Sequence, residues 1–171
     1  MKSIEDIYQF RCAQPSDINE HLPVIKEYAS KCESIVELGV REMVSTWALL
    51  AGKPKEMLAV DIVYPKEFDV REVEEFCKEE GVDFKFTIGD SLEINIPQCD
   101  LLLIDTLHEA AQLEVELKRH ANNVLKYIIF HDTVSCESEL MPVINEWLKQ
   151  GEWRIKEHYL NNNGLLVCER I

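Results

Sequence analysis

Four short apolar runs, each closed by an acid, constrain this chain more than any other feature. SIVEL (34–38) is followed by Gly39, MLAVD ends at Asp61, CDLLLID at Asp105 and YIIFHD at Asp132. Aliphatic and β-branched runs of this length suit strands buried on both faces of a parallel sheet. Segments of helical period lie between them. Leu22-Pro23 opens one, with proline in the first turn and Ile25, Tyr28 and Ala29 behind it. Val44, Trp47, Ala48 and Ala51 share a face, with Gly52 placed to cap the end. Val70, Val73, Phe76 and Cys77 repeat the pattern up to Gly81. Ala110, Leu113, Leu117 and Ala121 form another such face, and Leu140, Val143, Ile144, Trp147 and Leu148 the last. Strand–helix alternation predicts a doubly wound α/β sheet. The tail breaks the alternation: residues 153–160 and 165–170 read as two strands around NNNG, whose Asn-Gly supplies the positive φ of a tight hairpin.

The expectation is therefore one α/β domain over residues 1–171, Rossmann-like and doubly wound. Its sheet is mostly parallel and seven-stranded, with a C-terminal antiparallel hairpin and residues 1–21 as a lead-in segment. The length allows a sizeable core. With 32 acids against 18 bases the net charge is −14, which argues against nucleic acid and anionic membrane as partners. Its plain use is solubility. The six cysteines (12, 32, 77, 99, 136 and 168) form no CxxC pair and sit partly in apolar runs, so they read as reduced, packed thiols. The opening MKSIEDIYQF carries no apolar leader, and no run approaches the ~18 apolar residues of a membrane span, which points to the cytoplasm.

Open α/β sheets bind ligands beyond the carboxyl ends of their strands, at the topological switch point. Glu37 and Gly39 end the first strand, and a glycine there lets backbone approach a ligand. Asp61 ends the second; a carboxylate at that place can accept from both ribose hydroxyls of an adenosine. Gly89-Asp90-Ser91 follows the third and is placed to border an adenine. Taken singly, each acid equally suits a helix cap or a solvated loop. Asp105 and Asp132 end neighbouring strands, ~4.8 Å apart in a parallel sheet. Carboxylates so close repel unless a proton or a cation lies between them, and an oxygen-ligated divalent ion such as Mg²⁺ would serve. His108, three residues after Asp105, projects over the same edge and could accept the proton of an attacking hydroxyl, or could instead cap the following helix. His21, His120 and His158 have no such placement, and Trp47, Trp147 and Trp153 read as packing residues rather than as adenine-stacking platforms.

Three stretches carry a resemblance, the last being the ending EWRIKEHYLNNNGLLVCER (152–170). VELGVREMVSTWALL is similar to the first motif of class I S-adenosylmethionine-dependent methyltransferases. The block from Leu101 to Thr133 resembles the small methyltransferases related to macrolide-sugar and cephalosporin-cluster enzymes. It carries Asp-x-x-His after the fourth strand and His-Asp after the fifth, and the likeness runs over residues 16–170. The resemblance implies S-adenosylmethionine as cofactor, with Glu37, Gly39 and Ser45 around its methionine end and Asp61, Asp90, Ser91 and Asp105 along the rest. It implies a metal, Mg²⁺ in the sugar O-methyltransferases, held by Asp105, Asp132 and the imidazole of His131. It also implies the closing antiparallel hairpin. The chain departs from the pattern at Met43 and Arg41, where small residues are usual, at Ala110, where close relatives often have an aromatic, and in lacking Pro-Gly-Gly before the fifth strand. Bulk at 41 and 43 is expected to narrow the cofactor pocket.

The function expected is O-methylation of a small hydroxylated acceptor, such as a sugar or glycoside, with His108 as base. A nicotinamide-dependent oxidoreductase would need GxGxxG after the first strand, and GVREMV lacks it. A non-catalytic adenosine-binding or interaction module is the other alternative, favoured by Met43 and Ala110. The short TVSCESE loop (133–139) predicts an open acceptor site, or one completed by a second copy in a homo-oligomer.

Overall fold

The structure, a computed structural model, describes residues 3–171. Five strands run parallel: β1 (Ser34–Leu38), β2 (Glu56–Asp61), β3 (Asp83–Ile88), β4 (Cys99–Ile104) and β5 (Val124–His131). β6 (Trp153–Tyr159) and β7 (Leu165–Arg170) close the sheet as an antiparallel hairpin, β7 lying against β5. The order is β3-β2-β1-β4-β5-β7-β6. The chain winds outward from β1 to β3, then crosses back to β4. The switch point thus lies between β1 and β4, where their carboxyl ends open a crevice.

Side-chain alternation along the strands builds two cores. Ile35, Met57, Ala59, Leu101, Leu103 and Ile129 face one side; Val36, Leu38, Leu102, Ile104, Ile128 and Phe130 face the other. The first side is covered by α1 (Ile4–Ala13), α2 (Leu22–Ala29), α3 (Val44–Ala51) and α4 (Val70–Glu79). The second is covered by α5 (Ala110–His120) and α6 (Glu137–Leu148). Burial on both faces explains why the strands read as unbroken apolar runs. β4, at the centre, is buried at all its positions. No helix among the described residues is long and apolar enough to cross a membrane.

The structure adds detail at two places and corrects the expected turn at a third. The lead-in segment is structured: Ser3 and Asp6 form a capping box, and Ile4, Tyr8 and Ile18 join the core. Gly52 caps α3 with an ordinary φ of −69°, and Lys53 takes the left-handed conformation instead. A glycine suits position 52 because a Cβ there would lie 2.5 Å from the Ala29 Cβ, which lets α3 close on α2. In the hairpin, the Gly164 N–H donates to the Asn161 carbonyl (2.8 Å), so the turn is centred on Asn162 and Asn163, with φ of 42° and 70°. Asn-Asn rather than Asn-Gly supplies the left-handed pair, a role that asparagine tolerates.

Candidate active site

The crevice depends on Gly39. Its φ is 86°, and a Cβ there would lie 2.0 Å from the Asp105 carbonyl oxygen. Only a residue without a side chain lets the ends of β1 and β4 come this close. The loop that follows is held by Asp61, whose Oδ2 accepts from the N–H groups of Val40 (2.7 Å) and Arg41 (2.8 Å), while Oδ1 accepts from Val63 (3.1 Å). Met43 has a φ of 61° and its side chain is fully buried in the first core, away from the crevice. Arg41 pairs its guanidinium with Asp17 (2.8 Å). Neither residue lines the cleft, so the expected narrowing does not occur. Both instead occupy left-handed backbone that glycine would adopt freely.

The cleft itself measures about 460 Å³, within the usual range for small-molecule sites. Gly39, Asp61, Ile62, Gly89, Asp90, Ser91, Thr106, His108 and Gln112 contribute to its walls. Glu37 and Ser45 do not. Ser45 and Thr46, in the first turn of α3, donate their hydroxyls to Glu37 at 2.5 and 2.7 Å, and all three side chains are buried behind the crevice. Burial pushes the Glu37 carboxyl up to about 8 against the pull of these two hydroxyls.

Beyond β4 and β5, four titratable side chains meet. His108 Nε2 lies 2.8 Å from Asp132 Oδ2 and 3.3 Å from Asp105 Oδ1. His131 Nδ1 lies 3.0 Å from Asp132 Oδ2 and 3.3 Å from Asp105 Oδ1. The two carboxylates thus share two imidazoles, and a proton on each imidazole relieves their repulsion. Contacts with Asp105 and Asp132 hold His108 up at about 10. Burial opposes charge on His131, yet the same two carboxylates keep it at about 10 as well. Burial works against charge on the acids too, but the bonds from the two histidines hold both Asp105 and Asp132 below the usual carboxylate value. His108 does not cap α5, whose cap residue Glu109 makes no side-chain cap bond.

The cluster is braced from distant parts of the chain. His131 Nε2–H donates to the Asp17 carbonyl (3.2 Å), which turns Nδ1 toward the carboxylates. Asp132 has a φ of 58°, and its Oδ1 accepts from Ser135 Oγ (2.6 Å) and Asn163 Nδ2 (2.9 Å). The Asn163 carbonyl in turn accepts from Val134 and Ser135 N–H. Asp17 and Asn163 are absent from the expected site. Asn163 lay in a legible turn, but nothing local in the sequence marks Asp17. Asp105, Asp132 and His131 Nδ1 each place a ligand atom within 4.8 Å of the others, a donor set that fits a divalent ion. Its imidazole suits Mn²⁺ or Fe²⁺ better than Mg²⁺.

Of the remaining histidines, His21 and His120 are buried packing residues. His120 donates Nε2–H to the Ser91 carbonyl (2.7 Å), and His158 Nε2 meets Thr133 Oγ1 at 3.1 Å. The three tryptophans are buried and none lines the cleft. The six cysteines are free thiols.

No protein-family model matches the chain, and no curated protein matches it in sequence. Solved structures do match its fold. A putative caffeoyl-CoA O-methyltransferase from Staphylococcus aureus aligns over 100% of this chain and 93% of its own, with a TM-score of 0.68 at 17% identity. The Podospora anserina methyltransferase PaMTH1, bound to SAH, aligns over 100% and 88%, with a TM-score of 0.67 at 13% identity. The Bacillus subtilis tRNA methyltransferase TrmK aligns over 88% and 65%, with a TM-score of 0.60 at 19% identity. At such identities the likeness is one of fold: the chain has the Rossmann-like α/β architecture of class I methyltransferases, closing hairpin included.

Proposed function

We propose that this chain is an S-adenosylmethionine-dependent O-methyltransferase acting on a small hydroxylated acceptor, a sugar or glycoside being the first class to try. The observation that carries the reading is a single continuous edge: the cleft at the ends of β1, β2 and β3 reaches His108, which belongs at once to the cleft wall and to the Asp105–His131–Asp132 cluster. Gly39 gives the cofactor's methionine end access to backbone, Asp61 keeps an Oδ1 lone pair for a ribose hydroxyl, and Asp90 and Ser91 border the base. The net charge of −14 favours a small acceptor over nucleic acid.

Transfer of the methyl group from sulfonium to oxygen depends above all on holding donor and acceptor in line. His108 would take the hydroxyl proton, for which it must first be neutral. The paired carboxylates oppose that by stabilising the imidazolium. A divalent ion on Asp105, Asp132 and His131, Mg²⁺ or the more imidazole-tolerant Mn²⁺, would draw charge from those carboxylates and polarise the acceptor's hydroxyl. Asp17 would then hold His131 with its Nδ1 lone pair turned inward.

Calorimetric titration with S-adenosylhomocysteine, with and without Mg²⁺ or Mn²⁺, is the direct test. Saturable binding at micromolar to millimolar ligand is expected, followed by methyl transfer to a member of a panel of sugars, glycosides and catechols. Absence of binding at millimolar ligand overturns the reading.

A further inference from the structure

Among the buried acids that the mechanism does not use is Glu116. Glu116, on α5, is fully buried, and among the described residues no lysine, arginine or histidine side chain bonds to it. Its partners are neutral: Ser91 Oγ at 2.6 Å, Thr106 Oγ1 at 2.8 and 3.1 Å, and Gln112 Nε2 at 3.1 Å. All three partners line the cleft, whereas Glu116 lies behind them.

A carboxylate accepts hydrogen bonds and cannot donate them. Glu116 accepts a hydrogen bond from the hydroxyl of Ser91 and from that of Thr106, and what these hydroxyls have left toward the cleft is lone pairs. The Gln112 amide nitrogen is directed at Glu116 and, more weakly, at Ser91 Oγ (3.4 Å), so its own free group is the carbonyl oxygen. One buried side chain thus sets the polarity of three cleft-lining side chains. The Ser91 turn is also fixed from behind, by the His120 Nε2–H bond to the Ser91 carbonyl.

We propose that Glu116 is a positioning residue for base selection: it sets Ser91, Thr106 and Gln112 as acceptors, so that the cleft takes a purine carrying an exocyclic amine and rejects one carrying an oxo group there. This rests on the reading of the cleft as an S-adenosylmethionine site. An adenine amine brings N–H donors to those lone pairs, while a 6-oxo purine sets lone pair against lone pair. Sites built to bond a donor discriminate strongly against ligands that lack it.

The test compares the affinities of S-adenosylhomocysteine and S-inosylhomocysteine by calorimetry, which needs no acceptor and no turnover. Wild type is expected to prefer the adenosyl compound by at least about tenfold. In Glu116→Gln the amide can donate to one hydroxyl, which frees that hydroxyl's proton to face the cleft, and the preference should fall to about threefold or less. Thr106→Val deletes one acceptor and keeps Glu116 itself, with its bonds from Ser91 and Gln112, and should also narrow the preference, which covers the case of an unfolded Glu116 variant. Equal wild-type affinity for the two compounds overturns the inference while leaving the cofactor site standing. So does an unchanged preference in a folded Glu116→Gln or in Thr106→Val. Binding of neither compound by wild type overturns the cofactor reading and this inference with it.

Discussion

At the ends of β1 and β2 the chain meets its cleft largely with backbone, whereas beyond β4 and β5 it meets it with a knot of titratable side chains. In the first region one glycine and one aspartate set the geometry. Gly39 gives clearance, and Asp61 ties three N–H groups of two neighbouring loops. In the second region Asp105, His108, His131 and Asp132 hold one another, braced by Ser135 from the loop of Asp132 and by Asp17 and Asn163 from two further segments. A site made by backbone clearance is rigid and fails when the backbone is displaced. A site made by charge can lose its chemistry and keep its shape. The two regions should therefore respond differently to substitution and to pH.

The largest effect is expected at Gly39. In Gly39→Ala the new Cβ would collide with the Asp105 carbonyl, and the φ of 86° would be strained as well. A loss of more than about 3 kcal/mol in denaturant unfolding, or no folded protein at all, is the expected outcome. A change below about 1 kcal/mol would show that β1 and β4 do not approach as closely as described.

His108→Gln should do the reverse. The fold and the affinity for S-adenosylhomocysteine should persist while turnover falls ~10²–10⁴-fold, the usual consequence of losing a general base. With an acceptor in hand, wild-type activity should rise with pH as His108 loses its proton, toward about 10 in the metal-free protein. Wild-type turnover by the variant across pH 6 to 9 would leave His108 a structural partner of the two aspartates.

Asp61→Ala should weaken S-adenosylhomocysteine binding by about 1.5–3 kcal/mol, the range for lost charge-assisted hydrogen bonds. It also removes the brace on Val40 and Arg41, so thermal unfolding of the free variant belongs beside the titration. A drop in stability with unchanged affinity would reassign Asp61 to the loop alone.

The most selective effect is read from stability against pH. Burial raises Glu37 from 4.5 to about 8, so the folded state holds a proton that the unfolded chain has lost, and stability declines as pH climbs through that interval. The histidines are raised from 6.5 to about 10, so their contribution is complete below 6.5 and is lost as pH rises toward 10. The aspartates, lowered from 3.8, contribute above that value and lose their contribution in acid. Glu37→Gln should flatten the curve between 4.5 and 8, and His108→Gln should flatten part of it between 6.5 and 10. Identical curves for wild type and both variants would mean that neither region holds shifted protons.

How much of this was legible follows from the same contrast. The ends of β1, β2, β4 and β5 coincide with the apolar runs, because strands buried on both faces leave a mark in every residue. Strand order alone brings Gly39, Asp61 and the Asp105–Asp132 pair to one edge, which is why the sequence marks their positions. The helix at Ile4–Ala13 escaped, because little of its surface is buried and its apolar period is weak. At Met43 the sequence and the structure differ for another reason. Its identity shows a bulky side chain in a turn, while only the backbone reveals a φ of 61° that sends that side chain into the core.

By itself, then, the sequence determined the winding of the sheet, its antiparallel close and the strand ends from which a site would be built, because those depend on burial patterns local to each segment. The tertiary structure alone decided that protons on two imidazoles can separate Asp105 from Asp132, that Asp17 orients His131 across 114 positions, and that Glu116 stands behind the cleft wall. Those contacts join segments far apart in the chain. A hydrogen bond between such segments depends on distances and directions that no local spacing carries.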